Sequence, residues 1–121
     1  MPRGLGEFEQ LILLALVTLD QQEAYGVPIR DLIEQRTGRR VASGAVYTAL
    51  ERLSRRGLVS SRMGEPTAER GGRRKRLYRL ETAGERELAR SVRALADMSR
   101  GALGGLDLGL APQGAARPKR R

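Results

Sequence analysis

The sequence predicts a mainly α-helical domain that carries one two-stranded β-hairpin. Most of its apolar residues recur at the spacing of a helix, and only two short segments alternate as strands do. The clearest helical stripe lies within Ser43–Val59, where Val46, Leu50 and Leu53 recur at i, i+4 and i+7 and should be buried together. A chain of 121 residues is long enough for one domain with its own core.

The first predicted helix spans Glu7–Leu19 and follows a short flexible lead, residues 1–6. Its centre, Leu11–Val17, is apolar on nearly every side, and such a helix must be covered on every side. One side can pack on the core of a small domain, so the other side needs a second cover. A partner subunit and the chain's own remaining segments are equally compatible with this pattern.

A second helix is predicted at Val27–Thr37, after a polar connector at residues 20–24. Pro28 lies in its first turn, where its missing N–H is not needed, and Gly38 is placed to cap its C-terminus. Its inner face combines three apolar residues: Ile29, Leu32 and Ile33. The turn at residues 39–42 leads directly into the third helix, so the second and third helices form a helix-turn-helix arrangement.

The third helix begins with small, exposed side chains at Ser43, Gly44 and Ala45, and arginines such as Arg52 follow. Small residues let a backbone approach another surface closely. This combination suits a helix that enters the DNA major groove, whose width admits a helix and whose floor offers acceptors to arginine. An ordinary amphipathic surface helix is the alternative. Gly57 ends the helix, because a residue without Cβ accepts the left-handed conformation of a C-terminal cap.

Two strands, Leu58–Met63 and Arg76–Leu80, are predicted to form the hairpin. The loop between them is long, contains glycines and ends in a cluster of cations. The cations in or beside the loop are Arg70, Arg73, Arg74, Lys75 and Arg76. A basic hairpin after a helix-turn-helix is typical of the wing of a winged helix, and phosphates would neutralise cations that otherwise repel one another. A mobile solvated loop is the alternative.

A fourth helix is predicted at about Ala83–Met98, and Thr82 with Glu85 matches a capping box at its start. An apolar stripe along this helix needs a cover, which either helix one or the same helix of a second subunit can supply. The predicted dimer interface comprises Leu11, Leu14, Ala15, Leu88, Val92 and Leu95. Folding of the stripe back onto its own domain is the alternative.

The predicted organisation is a winged helix-turn-helix domain followed by a dimerisation helix. The lead covers residues 1–6, the winged helix residues 7–81, the dimerisation helix residues 82–99 and a basic tail residues 100–121. The tail is rich in Gly, Ala and Pro and loses helical periodicity, which is typical of disorder.

The composition narrows the function. The formal net charge of +9 indicates a polyanionic partner, of which nucleic acid is the usual one; a GC-rich genome would explain arginine in place of lysine, but not the excess of cations. The absence of cysteine and histidine excludes disulfides, thiolate zinc sites and a histidine general base. We therefore expect no metal, cofactor or catalytic residue. No leader or membrane span is recognisable, so we expect a cytoplasmic protein associated with the nucleoid.

Three stretches resemble the PadR family of bacterial transcriptional regulators. Residues 44–61, GAVYTALERLSRRGLVSS, are similar to that family's signature G-x-x-Y-x-x-L-x-x-L-x-x-x-G-L-[IV]. Residues 71–89, GGRRKRLYRLETAGERELA, are similar to its wing and following helix, and Tyr25 with Gly26 to the opening of its second helix. The resemblance covers about residues 7–95, although Thr48 stands where proline is common. The short C-terminal region resembles the smaller subfamily, which has a single dimerisation helix.

The resemblance implies a homodimeric repressor that binds double-stranded DNA at a roughly palindromic operator and is released by a small effector ligand. By matching positions, Tyr47 would contact a phosphate, and Tyr25 would lie near the DNA backbone. The residues that would approach bases are Gly44, Ala45, Thr48 and Arg52. The wing cations would straddle the minor groove and its phosphates.

Two other functions compete with this interpretation. A winged helix can also bind RNA or a protein partner, but RNA recognition usually stacks bases on exposed aromatics, and the chain has only one Phe and three Tyr. An enzyme would need paired carboxylates, and candidate pairs such as Glu81 with Glu85 are better explained as helix-end residues. We therefore expect no enzymatic activity.

Overall fold

The computed structural model describes residues 4–66 and 74–102 of the chain, and Arg70, Arg73 and most of the basic tail lie outside these ranges. Its elements follow in the order α1 (Glu7–Thr18), α2 (Gly26–Thr37), α3 (Ser43–Arg55), β1 (Val59–Met63), β2 (Arg76–Leu80) and α4 (Thr82–Ser99). A short 3₁₀ helix, Gln21–Glu23, lies in the connector that precedes α2. Four helices and one antiparallel hairpin form a winged helix, as predicted. Within the described ranges, no helix combines the length and apolar character that crossing a membrane requires.

Helix α1 is held at its start by a contact between backbone and side chain. The Gly6 N–H donates a hydrogen bond to Glu9 Oε1 at 2.9 Å, which satisfies one of the free amides at a helix N-terminus. Ile12 and Leu13 on the inner face are fully buried. Leu14 and Val17 on the other face are 42% and 60% exposed, so the described part of the chain covers only one side of this helix.

The two glycines predicted to end helices do so in the left-handed conformation. Gly38 has a φ of 73° after α2, and its N–H donates to the Glu34 carbonyl. Gly57 has a φ of 74° after α3, and its N–H donates to the Ser54 carbonyl. A residue with a Cβ adopts this backbone only with strain, which explains why the chain turns sharply at both positions.

The core forms where α1, α2 and α3 pack together. The predicted stripe of α3, Val46, Leu50 and Leu53, has no exposed surface, which confirms the amphipathic pattern. The core is aliphatic, and Tyr78 is the aromatic residue that is buried in it. The turn between α2 and α3 is fixed by the Val41 N–H, which donates to Glu34 Oε2 at 2.7 Å.

The hairpin pairs β1 with β2 in an antiparallel register in which Val59 faces Leu80 and Ser61 faces Tyr78. The predicted alternation places Tyr78 on the inner face, and it is buried there. Leu77, on the opposite face, is buried as well, because its side chain closes over Gly64 at the hairpin's turn end. Met63 is 44% exposed, so the inner face of β1 is apolar and buried only at its start.

Helix α4 begins one residue earlier than predicted. The Glu85 N–H donates to the Glu81 carbonyl at 2.9 Å, so Glu81, and not Thr82, occupies the cap position, and the predicted capping box is wrong in register. A tertiary contact sets this start, since the Glu81 N–H donates to the Leu58 carbonyl at 2.9 Å. Gly84 lies over the same carbonyl, and a Cβ at this position would approach it to 2.2 Å.

The chain divides into two compact units, Met1–Ser91 and Val92–Arg121. In the first unit, Ala15 is 3% exposed and Leu88 is 7% exposed, so the core of their own chain covers these two residues of the predicted dimer interface. In the second unit, Val92 and Leu95 are 44% and 67% exposed. The predicted division into domains at residues 81 and 82 stays a prediction.

Candidate nucleic-acid interface

The outer face of α3 is polar, small and open. The residues predicted to approach DNA on this helix are all exposed: Ser43, Gly44, Ala45, Tyr47, Thr48 and Arg52. Apart from its chain neighbours and the backbone of its own helix, no atom of the described residues lies within 4 Å of the position that a Cβ would take at Gly44. The N-terminal half of α3 can therefore approach another surface closely, which is the requirement for entry into a major groove.

Tyr47 links this face to the start of α2. Its ring lies so close to Gly26 that a Cβ on Gly26 would stand 2.4 Å from the phenolic oxygen. Tyr47 is nevertheless 46% exposed, so its outer edge is open to solvent while its inner edge packs on the backbone. The contact explains why Tyr25 is followed by glycine, and it fixes the Tyr47 hydroxyl at the seam between α2 and α3.

A second contact across the same seam involves Arg30, which the sequence analysis did not single out. Arg30 Nη1 donates a hydrogen bond to Ser43 Oγ at 2.9 Å. Its Nε and Nη2 atoms donate to Asp31 Oδ1 at 3.2 and 3.0 Å. The side chains of Arg30 and Asp31 are 31% and 58% exposed. A cation therefore lies beside the first residue of α3.

The base of the wing is tied to the helix-turn-helix. The Tyr78 N–H donates to the Ala24 carbonyl at 2.7 Å, so β2 pairs with the segment that leads into α2. Lys75 Nζ lies 5.0 Å from the centre of the Tyr25 ring, a distance typical of a cation–π contact. Lys75, at the base of the wing, is therefore in contact with Tyr25, the residue that precedes α2.

Two further cations at the base of the wing are oriented by hydrogen bonds. Arg74 Nε donates to the Gly64 carbonyl at 2.9 Å, and Arg76 Nη1 donates to Ser61 Oγ at 3.1 Å. Both side chains are exposed and keep their remaining N–H groups available. Of the predicted wing contacts, Arg74, Lys75 and Arg76 lie at the base of the hairpin, whereas Arg70 and Arg73 lie outside the described residues.

Charge is unevenly compensated along this surface. In the described part of the chain, the exposed guanidinium groups of Arg52 and Arg62 have no carboxylate within ion-pair distance, whereas Arg55 pairs with Glu51 at 3.6 Å. Arg62 lies on β1 and was not predicted as a contact, because isolated arginines on strands are common. Unpaired exposed cations attract phosphates most effectively, since no internal carboxylate competes for them.

The pKa of the Tyr78 phenol is raised by its surroundings. Burial raises the pKa of its phenol above the usual value of 10.0, and the nearby Arg76 guanidinium partly opposes this increase. The neutral phenol is therefore favoured, and the Tyr78 ring packs in the core beneath the hairpin. Its backbone joins the hairpin to the connector, and its ring completes the core.

Comparison with known proteins places these features in a family. Residues 13–90 match the model of the transcriptional regulator PadR-like family, which is more than half of the chain. No curated protein sequence matches the chain significantly.

Solved structures share the fold. A PadR family transcription regulator from Clostridium difficile is 25% identical with a TM-score of 0.65, and the match covers 82% of this chain and 96% of that one. A transcriptional regulator from Clostridium thermocellum is 22% identical with a TM-score of 0.65, and covers 82% and 89%.

Bacillus subtilis PadR, whose structure contains operator DNA, is 21% identical with a TM-score of 0.59. The match covers 70% of this chain and 46% of that one. The family match spans the helix-turn-helix, the wing and the first part of α4, which are the elements described above. This chain belongs to the PadR-like family of transcriptional regulators.

Proposed function

We propose that this chain is a sequence-specific DNA-binding regulator that acts as a homodimeric repressor at a palindromic operator. One observation carries the proposal: the N-terminal half of α3 is open, and the Tyr47 hydroxyl and the Arg30 guanidinium lie along its seam with α2, in a PadR-like chain. That operator DNA is bound in the structure of Bacillus subtilis PadR supports the same use of this surface here.

The contacts divide by chemistry into two groups. Thr48 and Arg52 are exposed on the outer face of α3 and would read base edges, through a methyl and hydroxyl group and through a guanidinium fork. Tyr47, Lys75 and the cations beside it would bind phosphates, which fix the register but carry no sequence information. The phosphate contacts release counterions and supply affinity that falls with salt.

A homodimer follows from apolar surface that the described part of the chain leaves uncovered. Val92, Leu95 and Met98 form an exposed stripe on α4, and Leu14 and Val17 are exposed on α1. A second copy would cover these residues with its own α1 and α4, and the first copy would cover those of the second, as in a two-fold dimer. Two-fold symmetry would set the recognition helices about 34 Å apart, one turn of DNA, and would require an inverted repeat.

Repression would follow from occupancy of a promoter on the chromosome. An apolar groove of about 180 Å³ between α1 and α2, lined in part by Leu11, Leu14 and Leu32, lies beside the exposed side of α1. A small ligand bound there would alter the subunit contact and hence the spacing of the recognition helices. We propose such release as the regulated step.

The test is selection of random duplex DNA on the purified full-length protein at near-physiological salt. Recovery of an inverted repeat supports the proposal, and the spacing of its half-sites measures the dimer geometry. Binding without any recovered motif, abolished by moderate salt, would mean that charge alone acts. In that case the specific regulator is excluded, and RNA or a protein partner becomes the better assignment.

A further inference from the structure

We propose that Arg30 is a DNA-backbone ligand whose anion site is filled in the free protein by Asp31, so that Asp31 restrains DNA binding. The inference rests on the proposed DNA-binding function and deepens it. It assigns a role to two residues of α2 that lie outside the predicted recognition surface, and it identifies Asp31 as a built-in competitor for phosphate.

The position of Arg30 follows from two contacts along one seam. Gly26 and Arg30 are four residues apart on α2, and Tyr47 and Ser43 are four residues apart on α3, so each pair shares a helix face. Gly26 touches Tyr47, and Arg30 bonds to Ser43. Arg30 therefore lies on the same seam as Tyr47, one helical turn further along α2 and beside the first residue of α3.

The guanidinium group is oriented from both sides. Ser43 Oγ accepts from Nη1 at 2.9 Å, and this contact fixes one edge of the plane. The opposite edge, Nε and Nη2, converges on a single oxygen of Asp31 at 3.2 and 3.0 Å. This edge is the one with which arginine binds carboxylate or phosphate through two parallel N–H groups. The structure thus shows an arginine that is held in place by Ser43 and presents an occupied anion site.

A phosphate can readily replace the Asp31 carboxylate on Arg30. The side chains of both partners are partly exposed, at 31% and 58%, and exposed ion pairs contribute little to the stability of a fold. A DNA phosphate that approaches Ser43 would meet the same Nε and Nη2 edge. Since Asp31 is the next residue along α2, its carboxylate would remain close to that phosphate and repel it. Asp31 therefore lowers affinity twice, by occupying the site and by repulsion.

The test is a double-mutant cycle with four full-length proteins: wild type, Arg30→Ala, Asp31→Asn and the double variant. Each is titrated by fluorescence anisotropy with the duplex recovered by selection and with a random-sequence duplex of equal length, over a range of salt concentrations. All substituted side chains are at least partly exposed, so folding should be preserved. A thermal melt of each variant checks this.

We expect Asp31→Asn to tighten binding of both duplexes by about three- to tenfold. Arg30→Ala should weaken binding, and the loss should be equal for the two duplexes, because a phosphate contact carries no sequence information. It should also reduce the steepness of the log–log salt dependence by about 0.9. The decisive expectation is coupling: once Arg30 has been removed, Asp31→Asn should give a much smaller gain, because only the relief of repulsion remains.

A matched control is Asp97→Asn. Asp97 is an exposed aspartate of α4 that pairs with Arg100, just after the helix, so this variant removes the same charge away from the proposed site. This variant should bind DNA as wild type does. An equal gain from Asp31→Asn in the presence and absence of Arg30 would indicate a general charge effect and overturn the proposal. Unchanged affinity in Asp31→Asn, with wild-type binding intact, overturns this proposal alone. Failure of all four proteins to bind either duplex overturns the proposed function together with it.

Discussion

Glycines in this chain serve opposite purposes at the residue scale. Gly84 is required because the carbonyl of Leu58 occupies the space where its Cβ would be. Gly44 has open space around it and is held in an ordinary helical turn, so nothing in the folded chain requires glycine there. Gly84 therefore contributes to stability, whereas Gly44 lowers the stability of α3. A role for Gly44 would be to allow the close approach of DNA in the proposed complex.

Alanine substitutions separate these two roles. We expect Gly84→Ala to lower the free energy of unfolding by about 1–3 kcal/mol, because a backbone carbonyl cannot move aside as a side chain can. Gly44→Ala should raise it by about 0.5–1 kcal/mol, since alanine favours the helix, while it weakens DNA binding. Urea denaturation measures the first quantity and anisotropy titration the second. A destabilised Gly44→Ala protein would contradict this account.

Arg52 is the residue on which base recognition is expected to depend most. Arg52→Ala should weaken binding to the selected duplex by about ten- to a hundredfold, because a guanidinium fork on a guanine edge discriminates strongly. Binding to random DNA should fall far less. Parallel titration of the two duplexes measures the difference. Equal losses on both would assign Arg52 to the phosphate backbone instead.

At the scale of elements, the hairpin is best regarded as part of the helix-turn-helix. Tyr78 supplies the connection in two ways, through its backbone bond to Ala24 and through its buried ring. Helix α4 is likewise positioned by the hairpin, because Glu81 bonds to the carbonyl of Leu58. The residues at the base of the hairpin thus fix the first turn of α4.

The buried phenol gives the hairpin a pH dependence. Because burial raises the pKa of Tyr78, the unfolded chain releases this proton at a lower pH than the folded chain. The contribution of Tyr78 to the free energy of unfolding is therefore complete below about pH 10 and is lost as the pH rises through the folded pKa. Urea denaturation between pH 8 and 11 should show a steeper decline for wild type than for Tyr78→Phe. Parallel declines would count against it.

Sequence periodicity predicts these elements well where neighbouring residues determine the structure. The α3 stripe, the two left-handed glycines and the second strand lie where the pattern places them. The predicted start of α4 is one residue too late, because the observed start depends on a hydrogen bond to the carbonyl of Leu58, which is distant in the sequence. The buried side of α1 was also not predictable. Its apolar residues continue around the helix, so the pattern alone could not place Ala15 inside and Leu14 outside.

The site was predictable to a similar extent. The small and basic residues of α3 and the wing cations carry a recognisable pattern. Arg30 does not, because its position beside Ser43 results from packing between residues that are 13 positions apart. Arginine next to aspartate on a helix is also common, so no local signal distinguishes Arg30 from an ordinary surface pair.

At the scale of the whole molecule, the proposed homodimer can be tested through the residues of its predicted interface. Among the residues of the predicted interface, Leu14, Val92 and Leu95 are exposed and Leu11 is half-buried, whereas Ala15 and Leu88 are covered by their own chain. A substitution at Leu88 would damage the fold and could not report on assembly alone. Exposed stripe residues are the informative positions.

We expect Val92→Asp and Leu95→Asp each to convert a dimer into a folded monomer, because a buried unpaired carboxylate is costly at an apolar contact. Arg93→Asp, which introduces the same carboxylate on the opposite side of this helix, should leave the dimer intact. Sedimentation equilibrium measures the mass, and circular dichroism checks the fold. An unchanged mass in both stripe variants would show that α4 does not hold the subunits together.

The contact between Gly26 and Tyr47 also constrains how this surface can evolve. A side chain at position 26 would meet the Tyr47 ring, so it can be accommodated only if that ring shifts or position 47 becomes smaller. Loss of the tyrosine hydroxyl alone leaves the collision in place, because two ring carbons also lie within 3 Å of that Cβ. The two positions should therefore change together among relatives, with a side chain at position 26 accompanied by a smaller residue at position 47.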